Sequence, residues 1–436
     1  MPGAVDVDVL VIGAGAGGLM TAARLQRAGY RTLVAERLAH VGGRASSRDV
    51  DGFTVNNGAI VIETGGLTEQ TFAEVGAEFD VRMPSPPILY RVGRRDVDVT
   101  GGGWGFLLSK ITRQGARILA GLADARHDDG LPDGQLSTAD WLARYTRSEA
   151  VHGIFRAMCG SVFAVGPDEL PARVFLTYFT RKSAFKTFGF CPQGTIGIWQ
   201  ALARAFQAAG GQLRLETEVQ AVHVREGTAT GATVRGPAGE HIEVTARVVV
   251  SDAGPAATAG MVGPDQLPPD YLAAVKAADR PCAMITVNFA SRQPLMEAPG
   301  LLSFAGARRL CYAANFTAVC PEMAPPGWHL YAGTAVPRPS VGDFDAAAET
   351  QLLMADLHAE FPGFDRARIL STVVTRNDWP PQRAVAGFDL PPGTPLENLW
   401  NVGDGVKEYA NGGTTACAET AQLVAAAIMD RFPLPF

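Results

Sequence analysis

The sequence predicts an α/β protein whose parallel sheet is assembled from distant parts of the chain, with a second, α+β domain inserted between those parts. Near the N-terminus, VDVLVIGAGAGGLMTAARLQRAGYRTLVAER has the order strand, glycine turn, helix, strand. Near the C-terminus, a strand-like apolar run ends at Gly403-Asp404, before a glycine-rich turn and a helix-like run. A lone acid beside glycines at a strand end is typical of half a ligand site, and we expect the N-terminal turn to supply the other half.

The composition excludes several classes of protein. With 436 residues, 47% hydrophobic content and a formal net charge of -6, the chain is long enough for two domains but lacks the basic stripe that nucleic-acid binding requires. Its six cysteines include no C-x-x-C pair, which excludes a thiolate zinc cluster and fits a reducing compartment. The start MPGAVDVD is not typical of a signal peptide, and no apolar run reaches the roughly 18 residues of a spanning helix. We therefore expect a cytoplasmic protein without a metal site.

The N-terminal segment is predicted to bind a dinucleotide. Gly13, Gly15 and Gly18 fall on G-x-G-x-x-G, whose glycines permit the turn, let the backbone approach a pyrophosphate and let the helix pack on the strand. The helix that follows offers its N-terminal N–H groups to the phosphates. Glu36 ends the next strand, where its carboxylate can accept both ribose hydroxyls and would repel a 2′-phosphate. The residues predicted to bind here are Gly13, Gly15, Ala16, Gly17, Gly18, Glu36 and Arg37.

The motifs after this segment favour a flavin over a nicotinamide. Glu36 is followed by Gly42-Gly43-Arg44 in ERLAHVGGRASS, and then by the hairpin-like DGFTVNNGAIVIE. With these motifs the sequence resembles the FAD-dependent amine oxidase and phytoene desaturase superfamily. The resemblance implies a Rossmann-like FAD-binding domain of the GR2 type. It also implies that Gly43 and Arg44 lie near the pyrophosphate or the ribityl chain, and that Gly58 and Ala59 let the backbone pass close to the flavin ring.

The resemblance continues over nearly the whole chain. CPQGTIGIWQALARAFQAAGGQLRLETEVQAVHV resembles the family's second block, in which the residue matching Val219 meets the adenine end through its backbone. ARVVVSDAG resembles the strand that returns to the cofactor, with Ala253 near the nucleotide. LENLWNVGDGVKEYANGGTTACAETA resembles the C-terminal block. In that block Gly403 leaves room for the ribityl chain, and Asp404 accepts from its hydroxyls. The helix that begins near Gly413 and Thr414 aims its positive end at the flavin.

Alternating segments predict a discontinuous cofactor domain. We expect residues 1–85, 191–275 and 389–436 to form the FAD-binding domain, and residues 86–190 and 276–388 to form the substrate-binding domain. Proline-rich stretches such as PSPP, WPP and LPPG mark several of the joins.

The first substrate segment offers two features that bear on the substrate. The helix-like stretch GFLLSKITRQGARILAGLADAR, residues 105–126, has an apolar and a basic face; it either covers its own domain or contacts a membrane surface peripherally. An aromatic group follows, which is either core or the wall of a large apolar pocket. Its members are Phe155, Phe163, Phe175, Tyr178, Phe179, Phe185, Phe188 and Phe190, with Lys182 and Lys186 between them.

Three functions are compatible with the sequence. Desaturation or double-bond isomerisation of a lipophilic isoprenoid- or polyketide-like substrate is favoured by the resemblance of the CPQGTIGI and NVGDG blocks to phytoene desaturases. Amine oxidation is the alternative, for which Tyr409 lies in the loop expected to carry an aromatic cage. A non-catalytic prenyl-lipid carrier, like relatives of Rab escort factors, is remote because Glu36, Arg44 and Asp404 are all present.

No residue has the spacing of a recognisable catalytic base. Glu408 and Tyr409 are weak catalytic candidates, because they precede the turn expected to face the flavin. The sequence has no second G-x-G-x-x-G to bind a nicotinamide, so we expect oxygen or a quinone as the final electron acceptor.

Overall fold

The computed structural model describes residues 5–98, 130–181 and 187–435, together with the isolated positions 118, 121, 122, 124 and 125. Apart from those isolated positions, the predicted basic segment 105–126 lies outside the described residues, as do Lys182, Phe185 and Lys186 of the predicted aromatic group.

Eighteen strands and ten α-helices are described within these ranges. The strands are β1 (Val5–Ile12), β2 (Thr32–Ala35), β3 (Ser47–Val50), β4 (Phe53–Asn56), β5 (Ile62–Glu63), β6 (Ile88–Val92), β7 (Arg95–Asp98), β8 (Phe188–Gly189), β9 (Gln212–Arg214), β10 (Glu218–Arg225), β11 (Thr228–Arg235), β12 (His241–Ser251), β13 (Met284–Ser291), β14 (Leu301–Phe304), β15 (Leu310–Asn315), β16 (His329–Ala335), β17 (Arg368–Thr375) and β18 (Leu399–Asn401). The helices are α1 (Ala16–Arg27), α2 (Leu67–Val75), α3 (Thr138–Ala143), α4 (Glu149–Phe163), α5 (Ala172–Arg181), α6 (Ile196–Ala208), α7 (Pro255–Val262), α8 (Pro269–Ala278), α9 (Ala346–Glu360) and α10 (Gly413–Arg431).

A largely parallel sheet forms the first half of the molecule. Its parallel strands run in the order β9-β2-β1-β12-β18, and the antiparallel strands β11 and β10 continue it beside the first half of β12. Residues Val7–Ile12 of β1 are all buried, apart from a slight exposure of Asp8, as an inner parallel strand covered on both faces requires. Helix α1 buries Leu19, Met20 and Leu25 against α10 and α6 on one face of this sheet.

The register of this sheet positions the site. Ala35, Ile12, Ser251 and Asn401 form one row across β2, β1, β12 and β18. Each of the four is the last residue of its strand. Because parallel strands end at the same edge, the residues that follow them come together there although they come from both ends and the middle of the chain. That edge is the topological switch point at which open α/β sheets bind ligands.

A second, mostly antiparallel sheet forms the other half, in the order β17-β13-β16-β15-β14-β6-β7. Only the pairing of β14 with β6 is parallel among its described contacts. One face of the sheet packs on α9 through a core that includes Phe289, Tyr331 and Leu357. Helices α3, α4 and α5 pack together through a separate core that includes Phe155, Phe163 and Phe175.

These two sheets confirm the predicted α/β fold with an inserted α+β domain. All strands of the parallel sheet come from residues 1–85, 191–275 and 389–436, and all strands of the second sheet come from 86–190 and 276–388. The residue at which each segment passes from one domain to the other stays a prediction. Within the described ranges, no helix combines the length and the apolar character needed to cross a bilayer.

Candidate cofactor and substrate site

A cavity of about 580 Å³ extends from the carboxyl edge of the parallel sheet to the second sheet. Its cofactor end is lined by residues that follow β1, β2, β12 and β18, and its substrate end by residues of α4, α5, β13, β15 and β17. The cavity therefore joins the two halves of the molecule, as a site for a cofactor beside its substrate requires.

The structure brings most of the predicted cofactor residues together around this cavity. Those that line it are Gly13, Gly15, Ala16, Glu36, Arg37, Gly43, Arg44, Gly58, Ala59, Val219, Ala253, Asp404, Gly413 and Thr414. Gly17, Gly18 and Gly403 lie behind this lining instead. A Cβ on Gly17 would come within 2.8 Å of the Gly403 backbone nitrogen, and one on Gly18 would collide with the Gly13 carbonyl. A Cβ on Gly403 would collide with the Asp252 carboxylate, so all three glycines are needed for close packing behind the cavity, and Gly17 brings the two ends of the chain together.

The glycine turn after β1 leaves space that any side chain would close. Gly13 has a φ of +96°, which disfavours residues with a Cβ. Gly15 has an ordinary φ of −71°, but a Cβ there would collide with the Asp252 carboxylate. Helix α1 begins at Ala16, which lines the cavity, so the positive N-terminal end of the helix lies at the cavity, and its first turn carries no acidic residue. This arrangement suits a phosphate group.

Glu36 holds its carboxylate beside the turn with both oxygens anchored. One oxygen accepts from the Ala14 backbone N–H at 2.7 Å, and the other from the Leu38 N–H at 2.8 Å. Each carboxylate oxygen has a second acceptor site, so Glu36 can still accept hydrogen bonds from the cavity. The side chain is buried and rigidly placed, which suits recognition of ribose hydroxyls.

Arg44 and Asp404 form a buried ion pair that links the two ends of the chain. Arg44 Nη1 donates to Asp404 Oδ2 at 3.0 Å, Nη2 donates to the other oxygen, and Arg44 Nη1 also donates to the Pro380 carbonyl at 3.1 Å. The Arg383 backbone N–H donates to Asp404 at 3.0 Å. Burial by itself would raise the pKa of Asp404, but the Arg44 guanidinium outweighs burial and holds that pKa well below its ordinary value. The sequence assigned these two residues to one site without predicting that they bind each other.

Two cavity residues, Asp252 and Arg383, were missed by the sequence analysis. Asp252 directly follows β12 and lies against the glycine turn. Arg383 contributes a side chain whose Nε is buried and has no hydrogen-bond partner among the described residues. Asp252 could have been found by the reasoning that singled out Asp404, since both are acids after a strand that ends at this edge. Arg383 lies in an irregular segment, and no local pattern predicts its position.

The substrate end is lined by neutral side chains. On the second sheet, Met284 and Thr286 share one face of β13, because strand residues two apart point the same way. Burial raises the pKa of Tyr312 on β15 to about 12, so its hydroxyl stays protonated at neutral pH. The described residues that helices α4 and α5, the loop after α4 and the second sheet contribute to this wall are Ser161, Val162, Ala164, Tyr178, Met284, Thr286, Tyr312 and Thr375.

The predicted catalytic candidates lie elsewhere. Glu408 and Tyr409 are exposed and do not belong to the described residues that line the cavity. Their neighbour Lys407 is fully buried, and its Nζ donates to the carbonyls of Ala384 at 2.8 Å and Asp404 at 3.0 Å. A catalytic role for Glu408 or Tyr409 stays a prediction, whereas Lys407 has a clear structural role in holding this loop.

The aromatic group divides between core and cavity. Phe155 and Phe175 stack with ring centroids 5.0 Å apart, and Phe163 meets Tyr178 edge to face at 5.2 Å. Phe155, Phe163 and Phe175 are buried in the helical core. Tyr178 belongs to the group and also lines the cavity. Most described members are therefore core, and one contributes to the substrate wall.

The described residues fit FAD. The glycine turn and the start of α1 suit a diphosphate, the Arg383 Nε is a buried donor that no described residue satisfies, and Glu36 presents free acceptor sites. A family model described as flavin containing amine oxidoreductase matches residues 16–429, which is nearly the whole chain. The chain belongs to this family. The protein is an FAD-dependent oxidoreductase, which confirms the predicted cofactor and enzyme class.

Comparison with individual proteins supports this assignment. The chain is 29% identical over 278 residues to the neurosporene-forming phytoene desaturase of Rhodobacter capsulatus, covering 56% of this chain and 52% of that protein. It thus spans about half the length of that curated relative. The crystal structure of an oxidoreductase from Methanosarcina mazei is similar over 96% of this chain and 100% of that one, with a TM-score of 0.85 and 26% identity. A putrescine oxidase variant shares the fold, with a TM-score of 0.70 and 16% identity over 98% and 99% of the two chains.

Proposed function

We propose that the protein takes hydride from a neutral, lipophilic small molecule, in C–C desaturation or a related double-bond isomerisation of an isoprenoid- or polyketide-like substrate. The observation that carries this proposal is the neutral wall at the substrate end of the cavity. A charged substrate group buried there without a partner would cost several kcal/mol.

Four of the charged residues that line the cavity, Arg44, Asp404, Glu63 and Asp378, are engaged by partners or exposed. Arg44 and Asp404 neutralise each other at the cofactor end. Glu63 accepts a hydrogen bond from the Thr415 hydroxyl, and Asp378 is exposed. No carboxylate of the described residues is therefore buried on the substrate-domain wall, where it would anchor an ammonium group.

Bound FAD supplies the two-electron acceptor, so the protein's own residues mainly position the substrate and exclude water. Met284, Val162 and Ala164 offer apolar contact. The hydroxyls of Thr286, Tyr312 and Thr375 add sparse polar contacts that can orient an oxygenated substrate. The Thr375 hydroxyl already donates to the Met284 carbonyl at 3.1 Å, so it faces the substrate chiefly as an acceptor.

The similarity to phytoene desaturases favours the same reading. Those relatives are named for acting on phytoene, and the present chain matches about half of their length. Amine oxidation is the alternative, and it keeps one observation in its favour. Three aromatic side chains, Tyr178, Tyr312 and Trp379, line the cavity and could form an aromatic cage around an amine.

Anaerobic reduction of the holoenzyme tests these two functions. Substrates are added to the oxygen-free yellow protein, and bleaching of the flavin band is followed for polyenes, for polyketides and for primary and secondary amines. We expect a neutral lipophilic compound either to bleach the flavin, as desaturation does, or to be isomerised without bleaching it, and we expect amines to do neither. Product analysis then separates desaturation from isomerisation, because isomerisation moves a double bond without net reduction of the flavin.

The reoxidation step identifies the electron acceptor. We expect oxygen or a quinone to restore the yellow flavin, and NADPH to leave the oxidised flavin unbleached. Bleaching by amines alone would overturn the lipophilic-substrate proposal in favour of amine oxidation.

A further inference from the structure

The carboxyl group of Asp252 lies in the centre of the cofactor end. Its backbone N–H donates to the Ile12 carbonyl at 2.8 Å, which fixes it beside the glycine turn. A Cβ on Gly15 or Gly403 would collide with this carboxyl group, and one on Gly17 would come within 2.9 Å of it. The backbone of Gly18 hydrogen-bonds the carboxyl group. Asp252 therefore lies at the N-terminal end of α1, where the diphosphate of FAD is expected.

The charges around Asp252 are nearly balanced before any cofactor is considered. Arg44 is committed to Asp404, and Arg383 is the other cation that acts on Asp252. Helix α10 contributes the thiol of Cys417, whose pKa burial raises well above its ordinary value, so the thiol is neutral. The glycine turn and the first turn of α1 carry no ionisable side chain. An ionised Asp252 would leave the site with two carboxylates and two guanidinium groups.

A diphosphate would add two negative charges to this enclosed site. A carboxylate held against it would be repelled at close range, in surroundings where charges interact more strongly than in water. A neutral carboxyl group instead adds a hydrogen-bond donor and no charge.

We propose that Asp252 enters the FAD complex as a neutral carboxyl group that donates toward the diphosphate, so that FAD binding takes up one proton from solvent. The only bond that forms is the O–H bond of the carboxyl group, and it breaks when FAD leaves and the proton returns to solvent. Arg44 and Arg383 keep their charges and face the same diphosphate.

The protein's own groups around Asp252 already favour protonation. Burial raises the pKa of Asp252 to about 7, against the opposing effects of the Gly18 backbone, Arg44 and Arg383. A bound diphosphate would raise this pKa further, because a neighbouring negative charge disfavours a second one. The arginines titrate far above this range.

The affinity for FAD should fall as the pH rises, because the pKa of Asp252 is lower in the free protein than in the FAD complex. Below about pH 7, Asp252 is protonated in the free protein and in the FAD complex, and the FAD affinity is at its full value. Above that pH the free protein must gain a proton to bind, so the affinity falls by about tenfold per pH unit until the pKa of the complex is reached.

The test measures the dissociation of FAD from the holoenzyme across pH, by the fluorescence of released flavin after dilution into buffers from about pH 6 to about pH 9. We expect the wild-type affinity to fall by about tenfold per unit above neutrality. We expect Asp252→Asn to bind FAD with nearly constant affinity over the range, because the amide is a neutral donor of the same shape. Asp8→Asn is the matched control, since Asp8 lies in the first half of β1, where it binds Arg31 away from the carboxyl edge, and it should keep the wild-type slope.

Proton release provides an independent measurement that needs no variant. FAD displaced from wild-type holoenzyme in weakly buffered solution just above neutral pH should release up to one proton per FAD, which an indicator dye reports as acidification. A flat wild-type profile, an unchanged slope in Asp252→Asn, or failure of folded Asp252→Asn to bind FAD would each overturn the proposal.

Discussion

The two ends of the cavity are built in different ways. The cofactor end consists of backbone turns at the ends of four parallel strands, with an ion pair and an acid held among them. The substrate end consists of neutral side chains on a mostly antiparallel sheet and on two helices and the loop after the first of them. The cofactor end is formed by backbone at glycine turns, where an added side chain closes the space. The substrate end is formed by side chains, which can be exchanged without moving the backbone. We therefore expect single substitutions to abolish cofactor binding at one end and to alter substrate preference at the other.

The largest effect should come from Gly15→Val. Its side chain would occupy the space of the Asp252 carboxyl group and close the path of the diphosphate. We expect bound flavin to fall below about a tenth of the wild-type content, because a rigid turn cannot relax around an added isopropyl group. The visible spectrum of the purified protein measures this directly.

Gly260→Val is the matched control for that substitution. Gly260 lies on α7, and a Cβ built there meets no atom within 4 Å. This variant should purify yellow. Normal flavin content in Gly15→Val would show that the diphosphate does not pass the glycine turn.

Removal of Arg44 should have the next largest effect, on stability. Arg44→Ala leaves the Asp404 carboxylate buried without its main partner. Loss of one member of a buried pair costs about 3–5 kcal/mol of the free energy of unfolding. Arg431→Ala removes an exposed pair with Glu397 and should cost at most about 1 kcal/mol. Denaturant unfolding of the two variants gives the comparison, and equal costs would contradict it.

The same pair predicts how stability depends on pH. The folded-state pKa of Asp404 lies below its unfolded value, so its contribution is present above the unfolded pKa of about 4 and is lost as the pH falls. In Arg44→Ala we expect burial to outweigh the remaining charges of Lys407 and Arg383 and to raise the pKa of Asp404. Its ionisation then destabilises the fold, and acidification from neutral pH should raise the stability of the variant.

The difference between the two ends also explains what the sequence could predict. Gly13, Gly15 and Glu36 belong to one continuous strand-turn-helix-strand unit, so their spacing alone places them together. Asp404 was assigned to the same site because a strand ends directly before it. Its bond with Arg44, 360 residues away, depends on the register of β12 and β18, which no local pattern reveals.

The substrate end lacked any such local signal. Met284, Thr286 and Tyr312 meet because β13, β16 and β15 pair in a particular order. Alternation predicts which residues share a face of a strand, but not which strand lies beside it or what faces that side. The sequence therefore gives no sign that Thr286 differs from any other strand residue.

Narrowing the substrate end should change substrate binding without changing the cofactor. Thr286→Trp adds a large side chain to the cavity wall. We expect the KM for a lipophilic substrate to rise about tenfold, with flavin content unchanged. Thr372→Trp on the exposed side of the neighbouring β17 is the control and should leave the KM unaltered. Loss of flavin in Thr286→Trp would mean that the two ends are not separable.

The smallest effect is expected at Tyr409. Its side chain is 38% exposed, and it is absent from the described residues that line the cavity. Tyr409→Ala should therefore change the rate of flavin reduction by less than about twofold, as surface substitutions usually do. Tyr178→Ala removes an aromatic side chain that does line the cavity, and the rate of flavin reduction in this variant should fall much further.

The comparison is made by stopped-flow bleaching with both a polyene and an amine. If the protein oxidised amines and Tyr409 belonged to an aromatic cage, Tyr409→Ala would lose activity toward the amine alone. That result would contradict the proposal of a neutral lipophilic substrate.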